Sequence, residues 1–223
     1  MNTDQLVKDI EKAVSKRSLL EHPFYLAWSA GKLTKEELVG YAKEYYWAAR
    51  HVPAVMKAII AHIPETMDKK TRATFAEHLK EEREHIALWK RFGKSLDISG
   101  RELDAYVPTK TVQKAVTNMI ETAGASFEEG IAAMYAFECD LPAISRSKIA
   151  GLKKFYKMKS EDAQIYFKEH IKEEKHLRFW RRLLRGMPAT KRAAALKAAK
   201  NTVDAKNGVL DGVVEKYCAG MVC

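Results

Sequence analysis

Apolar residues recur at three- and four-residue spacing along nearly the whole chain, which is the pattern of amphipathic α-helices. Few segments alternate with the period of two that is typical of strands. The pattern therefore predicts an all-α protein. The expected helices cover roughly residues 3–17, 22–30, 34–62, 68–93, 100–105, 110–123, 126–157, 160–185 and 189–219.

Three helix starts carry a capping-box pattern, in which a hydroxyl and a glutamate three residues later satisfy each other's backbone N–H groups. The pairs are Thr34 with Glu37, Ser99 with Glu102, and Ser126 with Glu129. Two prolines fall inside predicted helices. We expect Pro53 to kink its helix and Pro142 to interrupt the helix that begins near residue 126, because proline lacks the N–H that a helix interior requires.

The chain has 223 residues, of which 47% are hydrophobic, enough to bury a substantial core. We predict a single helical domain over residues 1–223, with a core at 17–185 and a basic C-terminal helix at about 189–219.

The net charge is +10, and much of the excess lies between Arg181 and Lys206, where eight basic residues face one acidic residue, Asp204. No aromatic residues interleave these charges to stack on bases, so we interpret the segment as a solvated helix face and do not expect nucleic acid binding.

No apolar run approaches the ~20 residues that a membrane span requires, and the charged N-terminal segment does not resemble a secretory signal. The cysteines, Cys139, Cys218 and Cys223, are odd in number and lack metal-finger spacing. These features predict a cytoplasmic protein with reduced thiols and no membrane partner.

Candidate metal ligands lie on three predicted helices: Glu81, Glu82, Glu84 and His85 on the first, Glu138 on the second, and His170, Glu173, Glu174 and His176 on the third. Carboxylates and imidazoles suit iron or manganese. Two Glu-x-x-His pairs place their members on one helix face, although a helix rich in Glu and Lys produces such pairs by chance. Glu138 lies in an apolar segment, where an unpaired carboxylate is costly to bury.

The third helix poses a geometric difficulty. At ~100° per residue, His170 and His176 differ in direction by about 120°, so a straight helix does not aim both at one centre. Either a π-bulge distorts the helix locally, or Glu169, Glu173 and His176 form the actual ligand set.

The remaining candidates are weaker. His22, His51, His62 and His78 are scattered along the sequence, and we interpret them as surface or core-edge residues rather than ligands. Cys139 follows Glu138 directly, and we interpret it as buried packing rather than as a thiol nucleophile.

Several segments resemble proteins related to chlamydia protein associating with death domains (CADD), over roughly residues 17–182. They are Leu20–Ser29, Leu33–Leu38, Tyr41–Tyr46, His85–Trp89, Ala133–Glu138 with Pro142, Lys148–Leu152 and Tyr166–His170.

This resemblance implies a haem-oxygenase-like bundle of seven to eight helices, shared with pyrroloquinoline quinone synthase and TenA-type thiamin salvage enzymes. It implies two metal ions, iron or iron with manganese, that use O2 as co-substrate. Carried over from the family, the metal ligands are Glu82 (or Glu81), His85, Glu138, His170, Glu173 (or Glu174) and His176. The implied activity is p-aminobenzoate formation for folate synthesis, with Tyr25 supplying the ring, Lys148 the nitrogen, and Tyr41 as a second redox-active candidate.

The chain departs from the family pattern in both ligand runs, which are shorter than usual, and Phe137 stands where the family has a tyrosine. Two alternatives therefore stay open. One is a metal-free TenA-type hydrolase or quinone-synthase-like oxidase acting on a small molecule through Glu138, and the other is a non-enzymatic helical interaction protein. We also expect a homodimer, as relatives of this fold often form oligomers.

Overall fold

The computed structural model describes residues 4–172 and 174–218, and helices are the only regular elements in those ranges. The α-helices are α1 (Gln5–Lys16), α2 (Pro23–Ser29), α3 (Lys35–Ile60), α4 (Lys69–Lys94), α5 (Gly100–Ala105), α6 (Lys110–Ala123), α7 (Phe127–Glu138), α8 (Leu141–Lys154), α9 (Glu161–Ile171), α10 (Glu174–Arg185) and α11 (Arg192–Tyr217). Short 3-10 turns cover Leu19–Glu21 and Ala189–Lys191. The all-α prediction is confirmed.

The described ranges contain eleven α-helices, two more than the nine predicted from the pattern, because two predicted helices are each divided in two. The helix predicted at 126–157 ends at Glu138 and resumes at Leu141. Pro142 lies in the first turn of α8, where the missing N–H costs no intrahelical hydrogen bond. The predicted interruption at Pro142 is therefore confirmed, whereas α3 continues as one helix through Pro53.

The second division answers the geometric difficulty at the histidines. The helix predicted at 160–185 ends at Ile171, passes through a turn at Lys172, and begins again as α10 at Glu174. The local distortion expected between His170 and His176 is therefore present, as a break between two helices rather than a π-bulge. Because the two histidines lie on different helices, the angle expected for a single straight helix does not apply to their side chains.

The predicted capping boxes form fully at two of three positions. Thr34 with Glu37 and Ser99 with Glu102 make both reciprocal bonds. At the start of α7 the Ser126 hydroxyl accepts a hydrogen bond from the backbone N–H of Glu129. The Glu129 carboxylate, however, accepts from the Ser126 hydroxyl and not from the Ser126 backbone N–H. That box is formed only in part.

Buried apolar residues form two clusters. The first joins α1, α6, α7, α10 and the second half of α3, with Met56 and Trp180 among its members. The second joins α2, the first half of α3, α4, α8 and α9, and it is rich in aromatic rings. Full burial of each large apolar side chain contributes about 1.5–3 kcal/mol.

Helix α11 packs against α7, α6 and α3. Its Val203 and Val209 belong to the first cluster, whereas Leu210 and Val213 belong to the second. Most of its alanines, from Ala195 onward, are buried, and most of its lysines, such as Lys197, are exposed. No helix in the described ranges is long and apolar enough to cross a membrane. The division into a core at 17–185 and a separate terminal helix stays a prediction.

Candidate metal centre and buried lysine

Helix α4 carries four candidate ligands on one face: His78, Glu81, Glu82 and His85. They occupy positions i, i+3, i+4 and i+7, which lie above one another on a helix. His78 and Glu82 are buried, His85 is mostly buried, and Glu81 reaches the edge of the cluster. The face points toward α9 and α10, which carry His170 and His176.

His78, Glu81 and His176 form a compact triad whose possible ligand atoms all lie within 4.8 Å of one another. The Nε2 atom of His176 lies 2.6 Å from Oε2 of Glu81, and the imidazole rings of His78 and His176 have centroids 3.9 Å apart. The structure thus contains a possible metal-binding triad.

His78 is the most informative member of the triad. The residue is 1% exposed, and neither ring nitrogen has a hydrogen-bond partner among the described residues. Burial, followed by the neighbouring His176, lowers the pKa of His78 to about 3. Its imidazole is therefore neutral near pH 7, the form that binds metal ions, and an orphaned buried imidazole of this kind is what a bound metal ion would satisfy. The residues present fit a metal ion.

Glu82, His85 and His170 form a second group beside the triad. Nδ1 of His85 lies 3.2 Å from Oε2 of Glu82, and the rings of His85 and His170 have centroids 4.6 Å apart. Burial raises the pKa of Glu82, but the hydrogen bond and charge of His85, together with the charges of His170 and His176, outweigh it and lower the pKa overall. The Glu82 side chain is therefore an ionised carboxylate.

The ring of His170 is oriented by its own helix. Its Nδ1 atom donates to the backbone carbonyl of Tyr166 over 2.7 Å, since a carbonyl oxygen only accepts. This bond fixes the tautomer, so that Nε2 is the nitrogen with a lone pair.

Glu138, at the last position of α7, lies beside the triad and is 2% exposed. Its Oε2 accepts a hydrogen bond of 2.8 Å from the indole Nε1 of Trp180 and lies 4.0 Å from Nδ1 of His176. Glu138 therefore lies close to His176 of α10, and its role as a metal ligand stays a prediction.

Two candidates predicted on the third helix, Glu174 and Glu169, do not join this cluster. Glu174 is exposed and lies 3.6 Å from Arg181. Glu169 pairs with Lys172 at 2.9 Å, and the break after α9 removes the helical spacing that would have aligned Glu169 with His176. Glu173 lies outside the described residues.

Lys148 on α8 lies in a second, aromatic region. Its side chain is 3% exposed, and Nζ donates a hydrogen bond to the hydroxyl of Tyr41. Nζ lies 4.4 Å from the ring centroid of Tyr41, 5.0 Å from those of Tyr45 and Phe167, and 5.1 Å from that of Tyr25. We refer to Lys148 and these four rings as the lysine cage.

Burial controls the ionisation of the lysine cage. It lowers the pKa of Lys148 well below the usual range, so the amine can be neutral and nucleophilic. Burial, then the neighbouring Tyr45, raises the pKa of Tyr25 well above 10, which keeps that phenol protonated. Gly151 allows α8 to approach closely, because a Cβ at this position would lie 2.5 Å from the indole nitrogen of Trp28.

Aromatic side chains connect the two regions. The ring of Tyr166 lies 4.3 Å from that of His170 and 4.6 Å from that of Trp89, and Trp89 lies 4.7 Å from Tyr45 of the lysine cage. Tyr45 and Tyr166 are also hydrogen-bonded through their side chains. Contiguous rings therefore link the candidate metal ligands with Lys148.

The candidate metal ligands are open to solvent through a groove of about 410 Å³ between α4, α9 and α10. Glu81, His85 and His176 line it, and the charged side chains at its rim include Arg91 and Lys175. Ions and small molecules can reach the ligands by this route.

The interpretation of His78 as a surface or core-edge residue is wrong, since the side chain is buried among the candidate ligands. The i, i+3, i+4, i+7 spacing from His78 to His85 was the signal that could have found it. Burial raises the pKa of Cys139 to about 12, which agrees with its interpretation as packing.

The fold and site define a helical bundle with a buried set of carboxylate and imidazole donors. The profile of the TENA/THI-4/PQQC family matches residues 10–216, and the chain belongs to this family. The resemblance recognised in the sequence is thus confirmed at family level.

Two relatives are named 4-aminobenzoate synthase. The protein from Nitrosomonas europaea is 32% identical over 239 residues, covering 100% of this chain and 96% of the relative. The protein from Chlamydia muridarum is 31% identical over 212 residues, covering 92% and 89%. These are the names of enzymes.

Solved structures confirm the haem-oxygenase-like fold. A domain from Shewanella denitrificans described as having this fold matches with a TM-score of 0.74 at 14% identity, covering 97% of this chain and 92% of that one. A CADD-like protein of Nostoc punctiforme matches with a TM-score of 0.75 at 12% identity, covering 100% and 99%.

Proposed function

We propose that this chain is a dimetal, O2-activating oxidase that forms 4-aminobenzoate from its own Tyr25, with Lys148 as the nitrogen donor. The observation that carries the proposal is the lysine cage, in which a buried amine lies against Tyr41 and Tyr25 while contiguous rings connect it to a cluster of metal-ligand side chains. The names of the relatives support the same product.

Two groups of donors favour two ions. His78, His176 and Glu81 would hold one ion, and His85, His170 and Glu82 the other. Glu138 lies near the first group, in the interior. Mixed imidazole and carboxylate donors suit iron or manganese.

Bound ions would supply, together with O2, the oxidising power that conversion of a benzylic carbon to a carboxyl group requires. The protein side chains provide the rest. The cage excludes water and keeps the Lys148 amine neutral, so that its lone pair is available near the Tyr25 ring. The Tyr41 hydroxyl, hydrogen-bonded to Nζ, is placed to exchange a proton with the amine.

The proposal has a stoichiometric consequence. If Tyr25 supplies the ring, each chain reacts once, and product molecules do not outnumber chains. The partner of the reaction is then a side chain of the protein itself. We retain the homodimer as part of the proposal.

The first test is the metal content of protein purified from iron- and manganese-supplemented cells. We expect about two ions per chain, lost in a Glu138→Ala, His176→Ala double variant and retained in His62→Ala, which changes an exposed histidine. Metal-free wild-type protein whose activity survives chelation would contradict the proposal and favour a metal-free hydrolase or quinone-synthase-like enzyme.

A further inference from the structure

The two regions of the site meet at one corner of the backbone. Helix α7 ends at Glu138 and α8 begins at Leu141, so only Cys139 and Asp140 separate the helix with the buried carboxylate from the helix with Lys148. A displacement of this corner would therefore move Glu138 and Lys148 together.

Lys206 of α11 contacts this corner from the protein interior. The residue is 5% exposed, unlike most of the basic segment to which it belongs. Its Nζ donates to the backbone carbonyls of Phe137 at 2.9 Å and Ala136 at 3.3 Å, and to Oδ1 of Asp140 at 2.5 Å. These three bonds use all three N–H groups of the ammonium.

The contacts suit the end of a helix. The last carbonyls of a helix lack intrahelical partners, and a cation there also interacts favourably with the helix dipole. Lys206 thus satisfies carbonyls in the turn of α7 that carries Glu138. Unlike a surface ion pair, it joins a side chain of α11 to the main chain of α7 across the packed interface of the two helices.

Lys206 also compensates a charge close to the tyrosines. Burial, and after it the Asp140 carboxylate, raises the pKa of Tyr45; burial, then Tyr45 and then Asp140 raise the pKa of Tyr25. The charge of Asp140 therefore influences the ionisation of tyrosines in the lysine cage. Lys206 is the cation that pairs with Asp140 among the described residues, so without it this largely buried carboxylate would lose that ion pair.

We propose that Lys206 is a positioning residue for the proposed reaction, since it fixes the α7–α8 corner and so holds Glu138 and Lys148 in register. The inference rests on the proposed function. Lys206 acts through the two residues it orients, and it touches neither the candidate ligands of α4 nor the phenol of Tyr25.

The test compares Lys206→Met, Lys206→Arg and the double variant Lys206→Met, Asp140→Asn with wild type. Calorimetric titration with Co²⁺ gives the dissociation constant at the ligand cluster, and mass spectrometry gives the fraction of Tyr25 converted. Lys43→Met is the matched control, because Lys43 pairs with Glu102 on the exterior, away from the site. Thermal unfolding identifies the temperature at which every variant is folded.

We expect Lys206→Met to weaken Co²⁺ binding about tenfold, as loss of a group that orients a ligand commonly does, and to reduce Tyr25 conversion. Lys206→Arg should restore most of both, since arginine keeps the charge and the donors. The double variant should recover stability but not Co²⁺ affinity, because the uncompensated charge is gone while the bonds to the α7 carbonyls are still missing.

Wild-type Co²⁺ affinity and Tyr25 conversion in folded Lys206→Met would overturn the positioning role and leave the proposed function intact. If Lys206→Met does not fold, the same two quantities are measured in the double variant. Wild-type Co²⁺ affinity and Tyr25 conversion there would likewise overturn the positioning role. Wild-type protein that binds no Co²⁺ would overturn the proposed function, and the positioning role with it.

Discussion

The ligand cluster and the lysine cage hold buried polar groups in opposite ways. The ligand cluster consists of the candidate metal ligands His78, Glu81, Glu82, His85, Glu138, His170 and His176. The cluster mixes carboxylates and imidazoles, which lie within hydrogen-bond distance of one another, and it opens to a groove. The cage surrounds a single amine with aromatic rings and offers it one hydroxyl. Because the first arrangement admits ions and the second suppresses charge, one region is suited to binding metal and the other to nucleophilic chemistry.

The largest predicted effect comes from removing the amine. Lys148→Met should abolish 4-aminobenzoate formation, while the metal content stays at the wild-type level because the ligands lie in the other region. Lys148→Arg should not rescue product formation, since the guanidinium does not lose its proton. Chromatographic assay of product per chain checks this.

Lys153→Met is the matched control, since Lys153 lies on the same helix but is exposed. It should form product like wild type. Product from Lys148→Met would show that the nitrogen comes from elsewhere and that the cage has another role.

The second largest effect is expected from a substitution in the ligand cluster that leaves the lysine cage unchanged. His78→Leu should lose the thermal stabilisation that metal gives the wild type, which is about 2.7 kcal/mol at a concentration 100 times the dissociation constant. Without metal, the variant should be at least as stable as wild type, because an orphaned buried imidazole is replaced by an apolar side chain. Calorimetry with and without added metal measures both. Equal metal-induced shifts in the two proteins would exclude His78 as a ligand.

The comparison also shows what the sequence could and could not predict. Local signals such as the Thr34 capping box and Pro142 determined where helices begin, because they depend on residues close in the chain. His78 was missed because its role depends on α10 reaching α4, nearly 100 residues away. The direction of His176 depended on the break at Lys172, for which no glycine or proline gives a signal.

A smaller effect is expected from the hydrogen bond that orients Glu138. Trp180→Phe keeps an aromatic ring in the core but removes the indole N–H that donates to Oε2. Metal affinity should fall by about tenfold, with little change in the lysine cage. Titration with Co²⁺ gives the affinity, and Trp47→Phe, a partly buried tryptophan that contacts His51, is the control. Unchanged affinity would mean that Glu138 is not a ligand.

The smallest effect is a pH dependence of stability from Lys148. Its pKa is lowered in the folded protein, so between that value and about 10.4 the unfolded chain binds the extra proton. The free energy of unfolding therefore gains a contribution that rises with pH across this window, by at most about 1.4 kcal/mol per pH unit. Urea unfolding of wild type and Lys148→Met should show the variant more stable near pH 7, and the difference should narrow toward pH 9. A constant difference would contradict a neutral buried amine.

The central proposal is that metal ions held by the ligand cluster oxidise a tyrosine of the lysine cage. Its most direct test is the mass of the tryptic peptide 18–32, which contains Tyr25, before and after metal-loaded protein is exposed to O2 with a reductant. We expect an altered Tyr25 side chain, formed in proportion to product and absent without metal or in Lys148→Met. Product formation with Tyr25 intact, or more product molecules than chains, would contradict it.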